Sequence, residues 1–449
     1  MAIQLRNSQL LRVLLIGFLI LLLQIPVVTL QQLVSDRQLV RAEAITDITS
    51  KWGNQQTVIG PRLIIPYIKR LGTEEKLSTQ VLYGTFLPED LQIASKLDPE
   101  VRYRGIFEVP VYKTDVMLSG NFLRPDFTLW GIEPKDILWD QAELTIQISD
   151  TRAIQNQAVL GWNQTQIAFE PGLGKLGGTG SGIHASLRNQ MGLANFNFSI
   201  PLKLNGSQTL QFVPLGKVTQ VTMSSTWNNP SFQGLWLPTE RSITEQGFNA
   251  TWSIPSLGRN YPQQWNNETS IDELTIEASA FGVDLLSPVD NYRKTDRSIK
   301  YNFLFLGLTF VTLWLFELTA GLTIHPLQYL LVGAAMCLFY LLQLALSEHI
   351  GFHYAYAIAS FSVVILITTY CFAVLGAKQR GGIVGVLQVV LYSYLYVVLA
   401  NQDYSLLLGS IGLFLFLAVI MYCTRRIDRF DSDRPVSVIA TPPLPPKSD

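Results

Sequence analysis

The sequence predicts a mixed membrane protein: an N-terminal anchor helix, a large extracytoplasmic all-β domain of sandwich type, and a C-terminal bundle of five transmembrane helices. Three observations predict it. Leu10 to Leu30 is an apolar run, long enough for a bilayer span of about 20 residues. Residues 31–300 are polar and, after their first stretch, alternate at period two. The second half is nearly continuous apolar sequence with short polar breaks. Composition agrees. Of 449 residues, 48% are hydrophobic and only 15% are charged, against roughly 25% charged in soluble domains. Mean hydropathy is positive, as spans beside a soluble part require.

The anchor, residues 10–30, follows a cytoplasmic stretch of residues 1–9. A cleaved signal peptide is the rival reading, because Ala42-Glu43-Ala44 has a small-x-small cleavage pattern. That pattern lies too far beyond the Leu-rich stretch, so an uncleaved anchor is expected. Val34 to Lys51 reads as a juxtamembrane continuation of the helix. Strands then recur at Gly105–Tyr112, Ala142–Ile148, Phe196–Leu204 and Leu215–Met223. Asn205-Gly206 signals a hairpin that returns Gln208–Phe212. Many short strands with Gly, Pro and Asn turns argue for an antiparallel sandwich. The Gly-rich stretch Pro171 to Gly182 either divides two subdomains or is a long loop within one. The bundle occupies 301–424, with spans at about 303–324, 327–347, 351–376, 382–400 and 404–423. A disordered cytoplasmic tail, 425–449, contains Pro442-Pro-Leu-Pro-Pro446, which reads as a solvating tail or a short polyproline ligand.

Lys and Arg near span ends set orientation. Arg6, Arg12, Lys378, Arg380, Arg425, Arg426, Arg429 and Arg434 all fall on one side if both termini are inside. The cluster Arg293, Lys294, Arg297 and Lys300 disagrees. It follows a long translocated domain, which largely escapes the rule, and it suits anionic headgroups. A net charge of -1 gives no field for nucleic acid. Cys337, Cys371 and Cys423 all lie in or beside apolar stretches, so no disulfide framework is legible in the polar domain.

Six polar residues of the membrane domain are candidates for function: Glu317, His325, Glu348, His349, His353 and Asp403. Intramembrane carboxylates are costly and mark functional hypotheses by default. Glu317 and His325 are eight residues apart, near one face if a single helix holds both, which suits a proton relay or a polar contact between helices. His349 and His353 share a face only if helix has begun there. Capping of helix ends is the preferred reading over metal, and no metal or cofactor site is assigned. Trp227, Phe232 and Trp236 form a candidate binding surface for a glycan or peptide, against the alternative of a turn packed into the core. Gly172-Leu-Gly174-Lys-Leu-Gly177 matches a dinucleotide fingerprint by letters only, since no helix can open in the Gly-rich run that follows.

Ordered stretches run along nearly the whole chain: Gly60-Pro61, Leu87-Pro-Glu-Asp-Leu91, Arg104-Gly-Ile-Phe-Glu-Val-Pro-Val-Tyr112, Pro230-Ser-Phe-Gln-Gly234, Gln328-Tyr-Leu-Leu-Val-Gly333, Ser347-Glu-His-Ile-Gly-Phe352 and Met421-Tyr-Cys-Thr-Arg425. Together they resemble the CreD family of inner membrane proteins. Ile427-Asp-Arg-Phe430 and the Pro-rich tail depart from the family ending. The resemblance implies a bacterial inner (plasma) membrane location and an envelope-integrity role, with no catalytic or cofactor residues to carry over. The expected function is non-enzymatic: the periplasmic β domain binds a periplasmic protein or peptidoglycan, and membrane lipids surround the bundle. The alternative is a transporter or lipid-handling protein with a polar path through the bundle. Oligomeric state is not legible.

Overall fold

The structure, a computed structural model, describes residues 2–71, 78–177, 180–188, 196–269, 271–285, 291–320, 322–401 and 404–425. It divides into two compact units. One is helical, Met1–Leu39 with Val289–Asp449; the other, Val40–Pro288, is built on β-sheet.

Helices α1 (Ala2–Leu22) and α2 (Gln24–Trp52) follow one another with a break only at Leu23. Within the helical unit, Ile16, Leu19, Leu23, Val27 and Val34 are buried. Their three- and four-residue spacing draws one stripe along the helix. Leu11, Leu14, Phe18, Leu21, Ile25 and Val28 on the other faces are exposed and apolar, as a lipid-facing surface must be. Leu23 approaches the helix Pro326–Ile350 where a Cβ on Gly333 would collide with it. Close packing of this kind holds helices together in lipid, where the hydrophobic effect does not.

The β unit contains, in chain order, β1 (Gln56–Leu71), β2 (Ser78–Phe86), β3 (Asp90–Arg104), β4 (Phe107–Phe122), β5 (Glu143–Ile148), β6 (Val159–Trp162), β7 (Thr165–Ala168), β8 (Glu170–Pro171) and β9 (Gly182–Ser186). It continues with β10 (Phe196–Ser207), β11 (Thr209–Phe212), β12 (Val218–Ser225), β13 (Pro230–Gly234), β14 (Glu240–Thr244), β15 (Gly247–Pro255), β16 (Gln264–Asn266), the short helix α3 (Glu273–Glu277) and β17 (Phe281–Leu285). Among the described residues these make two sheets. The nine-stranded sheet runs β13-β17-β11-β1-β5-β9-β8, with β2 pairing β1 and β16 pairing β2; the eight-stranded sheet runs β14-β15-β12-β3-β4-β10-β6-β7. Central strands of the second sheet alternate buried and exposed residues, as β3 does from Asp90 to Asp98 and β12 from Val218 to Met223. The inward sets of both sheets, Leu63, Ile65 and Tyr67 on one and Leu91, Ile93, Leu118 and Leu202 on the other, belong to one hydrophobic core.

Three features differ from the sequence reading. Several strands are longer than expected: β1 and β4 each have 16 residues and β3 has 15. The sheets are not wholly antiparallel, because β1 pairs β11 and β12 pairs β3 in parallel. The hairpin expected at Asn205-Gly206 is absent. Strand β10 runs through both residues, which pair with Lys113 and Tyr112 of β4. The chain turns at Gln208, φ 60°, and β11 leaves for the other sheet. Glycine at 206 answers a packing need instead, since a Cβ there would strike the Tyr112 ring. Burial pushes the Tyr112 phenol up, so it keeps its proton, and the hydroxyl donates a hydrogen bond to the Thr209 carbonyl at 2.7 Å. The tight β3–β4 hairpin instead falls at Gly105-Ile106, where Gly105 has φ 60°, the position at which such turns favour glycine. On either side of the Gly-rich stretch, β8 and β9 pair with one another in the nine-stranded sheet.

The end of α2 is fastened inside the β unit. Asp47 pairs with Lys51 at 2.6 Å and Arg104 at 3.0 Å, and the Arg102 guanidinium lies 3.7 Å from the Trp52 ring centroid. Asp150 then accepts hydrogen bonds from the Asn54 backbone and side chain and from Arg152.

The helical unit continues with α4 (Asn291–Lys300), α5 (Asn302–Ala320), α6 (Pro326–Ile350), α7 (Phe352–Val374), α8 (Lys378–Ala400) and α9 (Ser405–Thr424). Among the described residues, Leu11–Trp52, α6, α7 and α8 are long and apolar enough to cross a membrane. Helices α4 and α5 are long and apolar enough only when taken together, with a bend of 41° between them, and α9 contributes a shorter apolar stretch. The expected span to residue 324 ends earlier, at Ala320. Pro326 disfavours helix in the residue before it and starts α6 at its first turn. Helix α4 was not foreseen. Its Tyr292, Thr295, Ser298 and Ile299 are buried while Arg293 and Lys300 are exposed, and Lys300 pairs with Asp296 at 2.7 Å. Buried polar contacts join the helices: Ser298 to Gln343 at 3.1 Å and Gln388 to Thr309 at 2.8 Å.

Two predictions follow from the β unit. Gly206→Ala overpacks the Tyr112 ring and is expected to cost about 1–3 kcal/mol, read as a lowered unfolding midpoint of the purified full-length protein. The Asp150 carboxyl is held below its usual range, chiefly by the Arg152 side chain. A depressed folded value contributes stability above the unfolded value of about 3.9, and that contribution is lost as pH falls through the folded value. Acid titration of tryptophan fluorescence should therefore show Asp150→Asn to be less acid-sensitive than the parent at the low-pH edge, and less stable than it at neutral pH.

Candidate functional site

Two candidate carboxylates lie at opposite ends of the helical unit, each held by an arginine of the N-terminal helix. Glu317 near the end of α5 is buried, and its Oε2 lies 3.3 Å from Arg12 Nη1 of α1. Its other oxygen accepts from the Ile324 backbone N–H at 2.6 Å, closing the turn into α6. A cavity of about 160 Å3 adjoins the pair and is lined by Ile16, Pro326 and Tyr329 among others. At the other end, Glu348 sits in the last turn of α6, where the helix dipole disfavours an anion. Arg37 Nε of α2 lies 3.5 Å from Glu348 Oε1, and the Tyr292 hydroxyl donates to the same oxygen at 2.9 Å. Twenty-five residues separate Arg12 from Arg37. At 1.5 Å per residue they stand about 38 Å apart, close to the roughly 40–45 Å of a bilayer with its headgroup layers.

The other candidates do not converge. Glu317 and His325 do not share a helix face, because α5 stops between them. His325 is instead the exposed N-cap of α6: its Nδ1 accepts from the Leu327 N–H at 3.2 Å, and its own N–H donates to Gln328 Oε1 at 2.9 Å. His349 and His353 also fall on different helices. Gly351, φ 77°, ends α6 and begins α7, so the four-residue spacing crosses a break. His353 Nδ1 lies 2.9 Å from the Tyr396 hydroxyl, and His349 is exposed. Asp403, and the tail with its proline cluster, lie outside the described residues. Among the described residues no three His, Cys, Asp or Glu side chains converge as metal ligands do.

The aromatic segment of the β unit packs inward. Phe232 meets Phe248 and Trp252 edge-on at 5.7 and 5.8 Å, and Trp236 meets Phe281 at 6.1 Å. Trp227 lies half-buried against the same core, which leaves the rings partly available and Leu235 and Leu237 exposed.

The sequence reading missed a cleft of about 860 Å3 on the open face of the eight-stranded sheet. Strand register places Ser242, Asn249, Ser224, Lys96, Asp115 and Lys203 in one row across β14, β15, β12, β3, β4 and β10. The next row brings Asp98 and Lys113 beside Asn205. Alternation in β3 and β4 marks these residues as outward-facing in the sequence. That they form one surface depends on the parallel pairing of β3 with β12, which no local pattern announces.

If the arginines hold the N-terminal helix, Glu317→Arg should lower the stability of the detergent-solubilised protein by about 1–3 kcal/mol, a range reduced for the partial exposure of Arg12. The reversed pair Arg12→Glu with Glu317→Arg should recover part of that loss in a thermal aggregation assay.

The family model described as Inner membrane protein CreD matches residues 8–430. Inner membrane protein CreD of Escherichia coli (strain K12) is 32% identical over 417 residues, covering 91% of each chain. With its apolar helices and large β-rich middle region, the chain belongs to the CreD family and is a multi-pass inner membrane protein.

Proposed function

We propose that this chain supports envelope integrity without catalysis, with its β unit in the periplasm binding an envelope component. In this reading both termini are cytoplasmic, the N-terminal helix is retained as the first of six spans, and the helical unit anchors the binding domain among membrane lipids. The observation that carries it is the use made of the membrane carboxylates. Glu317 and Glu348 are each paired with an arginine of the N-terminal helix. Neither stands free to line a path, whereas the β unit carries a wide polar cleft. The lysine and arginine pattern of the span ends supports the orientation. Packing of Ile16, Leu19 and Leu23 in the helical unit supports retention of the anchor.

The test is in-cell photocrosslinking from the full-length protein, with probes at Lys96, Ser242 and Trp236. A discrete adduct from the β unit is the expected result. Loss of envelope function in a folded, inserted Glu317→Gln protein, with no adduct at any β-unit position, would favour a path through the bundle instead. Orientation is checked with a membrane-impermeant maleimide on a cysteine at Leu257, which is 97% exposed. Labelling in intact cells is expected there, and not at a cysteine replacing Lys378.

A further inference from the structure

We propose that the open face of the eight-stranded sheet binds a carboxylate-bearing, N-acetylated glycan strand, the chemistry that peptidoglycan presents. This rests on the reading that the β unit binds an envelope component, and it names that component.

The cleft has two chemically distinct halves. On β14, β15 and β12 the groups that line the cleft are short and neutral: Ser242, Asn249 and Ser224 share one row, with Thr244 and Gln246 nearby. Hydroxyls and amides both donate and accept, which suits sugar hydroxyls and N-acetyl groups. On β3, β4 and β10 the exposed groups that line the cleft are charged. Lys96 and Lys203 flank Asp115 in the same row, and Lys113 stands beside Asp98 in the next. Lys203 lies 3.7 Å from Asp115, while among the described residues Lys96 has no ion-pair partner. Three lysines against two aspartates leave this half cationic, and strands about 4.8 Å apart set Lys96 and Lys203 roughly 10 Å from each other. A ligand that fills both halves is neutral and hydrogen-bonding along one part and acidic along the other.

An independent observation points to a ligand. Asn205 lines the cleft at its charged end, is only 6% exposed, and its Oδ1 has no hydrogen-bond partner. A buried amide oxygen left without a donor is costly, and a ligand hydroxyl or N–H arriving in the cleft supplies one. The polarity of the lining also separates this cleft from ordinary small-molecule pockets, which are mostly apolar.

The experiment measures binding to the full-length protein in lipid nanodiscs. The probe is a soluble peptidoglycan fragment with its stem-peptide carboxylates free, and the control is chitohexaose, which has the N-acetylated sugars but no carboxylates. The acidic fragment is expected to bind more tightly. Lys96→Gln and Lys203→Gln should each weaken it about tenfold, the scale of one charged hydrogen bond, and leave chitohexaose binding unchanged. Asn249→Ala should weaken both ligands, and Lys135→Gln, outside the cleft, neither. Equal affinity for the two ligands, or indifference to both lysine substitutions, overturns the proposal. If neither ligand binds but a probe at Lys96 crosslinks to a protein in cells, the glycan proposal falls and the binding function stands. If neither ligand binds and no adduct forms, both fall.

Discussion

A carboxylate within a membrane-spanning segment must be neutralised or paid for in desolvation, and the helical unit resolves two such cases in the same way. Arg12 reaches Glu317 and Arg37 reaches Glu348. Both arginines belong to the N-terminal helix, and both glutamates to helices of the C-terminal half. Residues separated by about three hundred positions are thereby joined at both ends of one span. Between the two pairs, Leu23 packs at Gly333, and the Cys337 thiol lies 3.9 Å from the Leu23 carbonyl. The N-terminal helix is thus part of the bundle, and the chain returns to it after an insertion the size of a domain.

This arrangement changes what the polar residues mean. Glu317 and Glu348 attract attention because carboxylates are rare in such segments. Each is paired with an arginine of the N-terminal helix, a contact between helices distant in sequence. The histidines follow a similar rule, for His325 caps the start of α6 and His353 meets the hydroxyl of Tyr396. In the β unit, the single core leaves one face of the eight-stranded sheet open, and that face carries alternating polar residues across six strands. The chemistry available for recognition gathers there.

Much of the architecture was legible because it rests on local periodicity. Long apolar runs mark spans, and period-two alternation marks strands, so the order of helix, β region and helices could be read directly. Features set by distant pairings could not. Asn205-Gly206 has the letters of a hairpin, yet its glycine makes room for Tyr112 on another strand. Glu317 and His325 have helical spacing, yet α5 ends at Ala320 and His325 caps the next helix. Arg12 read as an orientation signal, and nothing near it in sequence named Glu317 as its partner. The cleft was hidden for the same reason, since its two halves meet only through the parallel pairing of β3 and β12.

The central claim, that the N-terminal helix is built into the bundle, is tested most directly by oxidative crosslinking in native membranes. Leu23→Cys places a thiol beside the native Cys337, and mass spectrometry of the digested protein reads the linkage. The account predicts an intramolecular disulfide between the two positions in a protein that retains its N-terminus. A thiol at position 23 that remains freely alkylated, or that links only to a second copy of the chain, would contradict it.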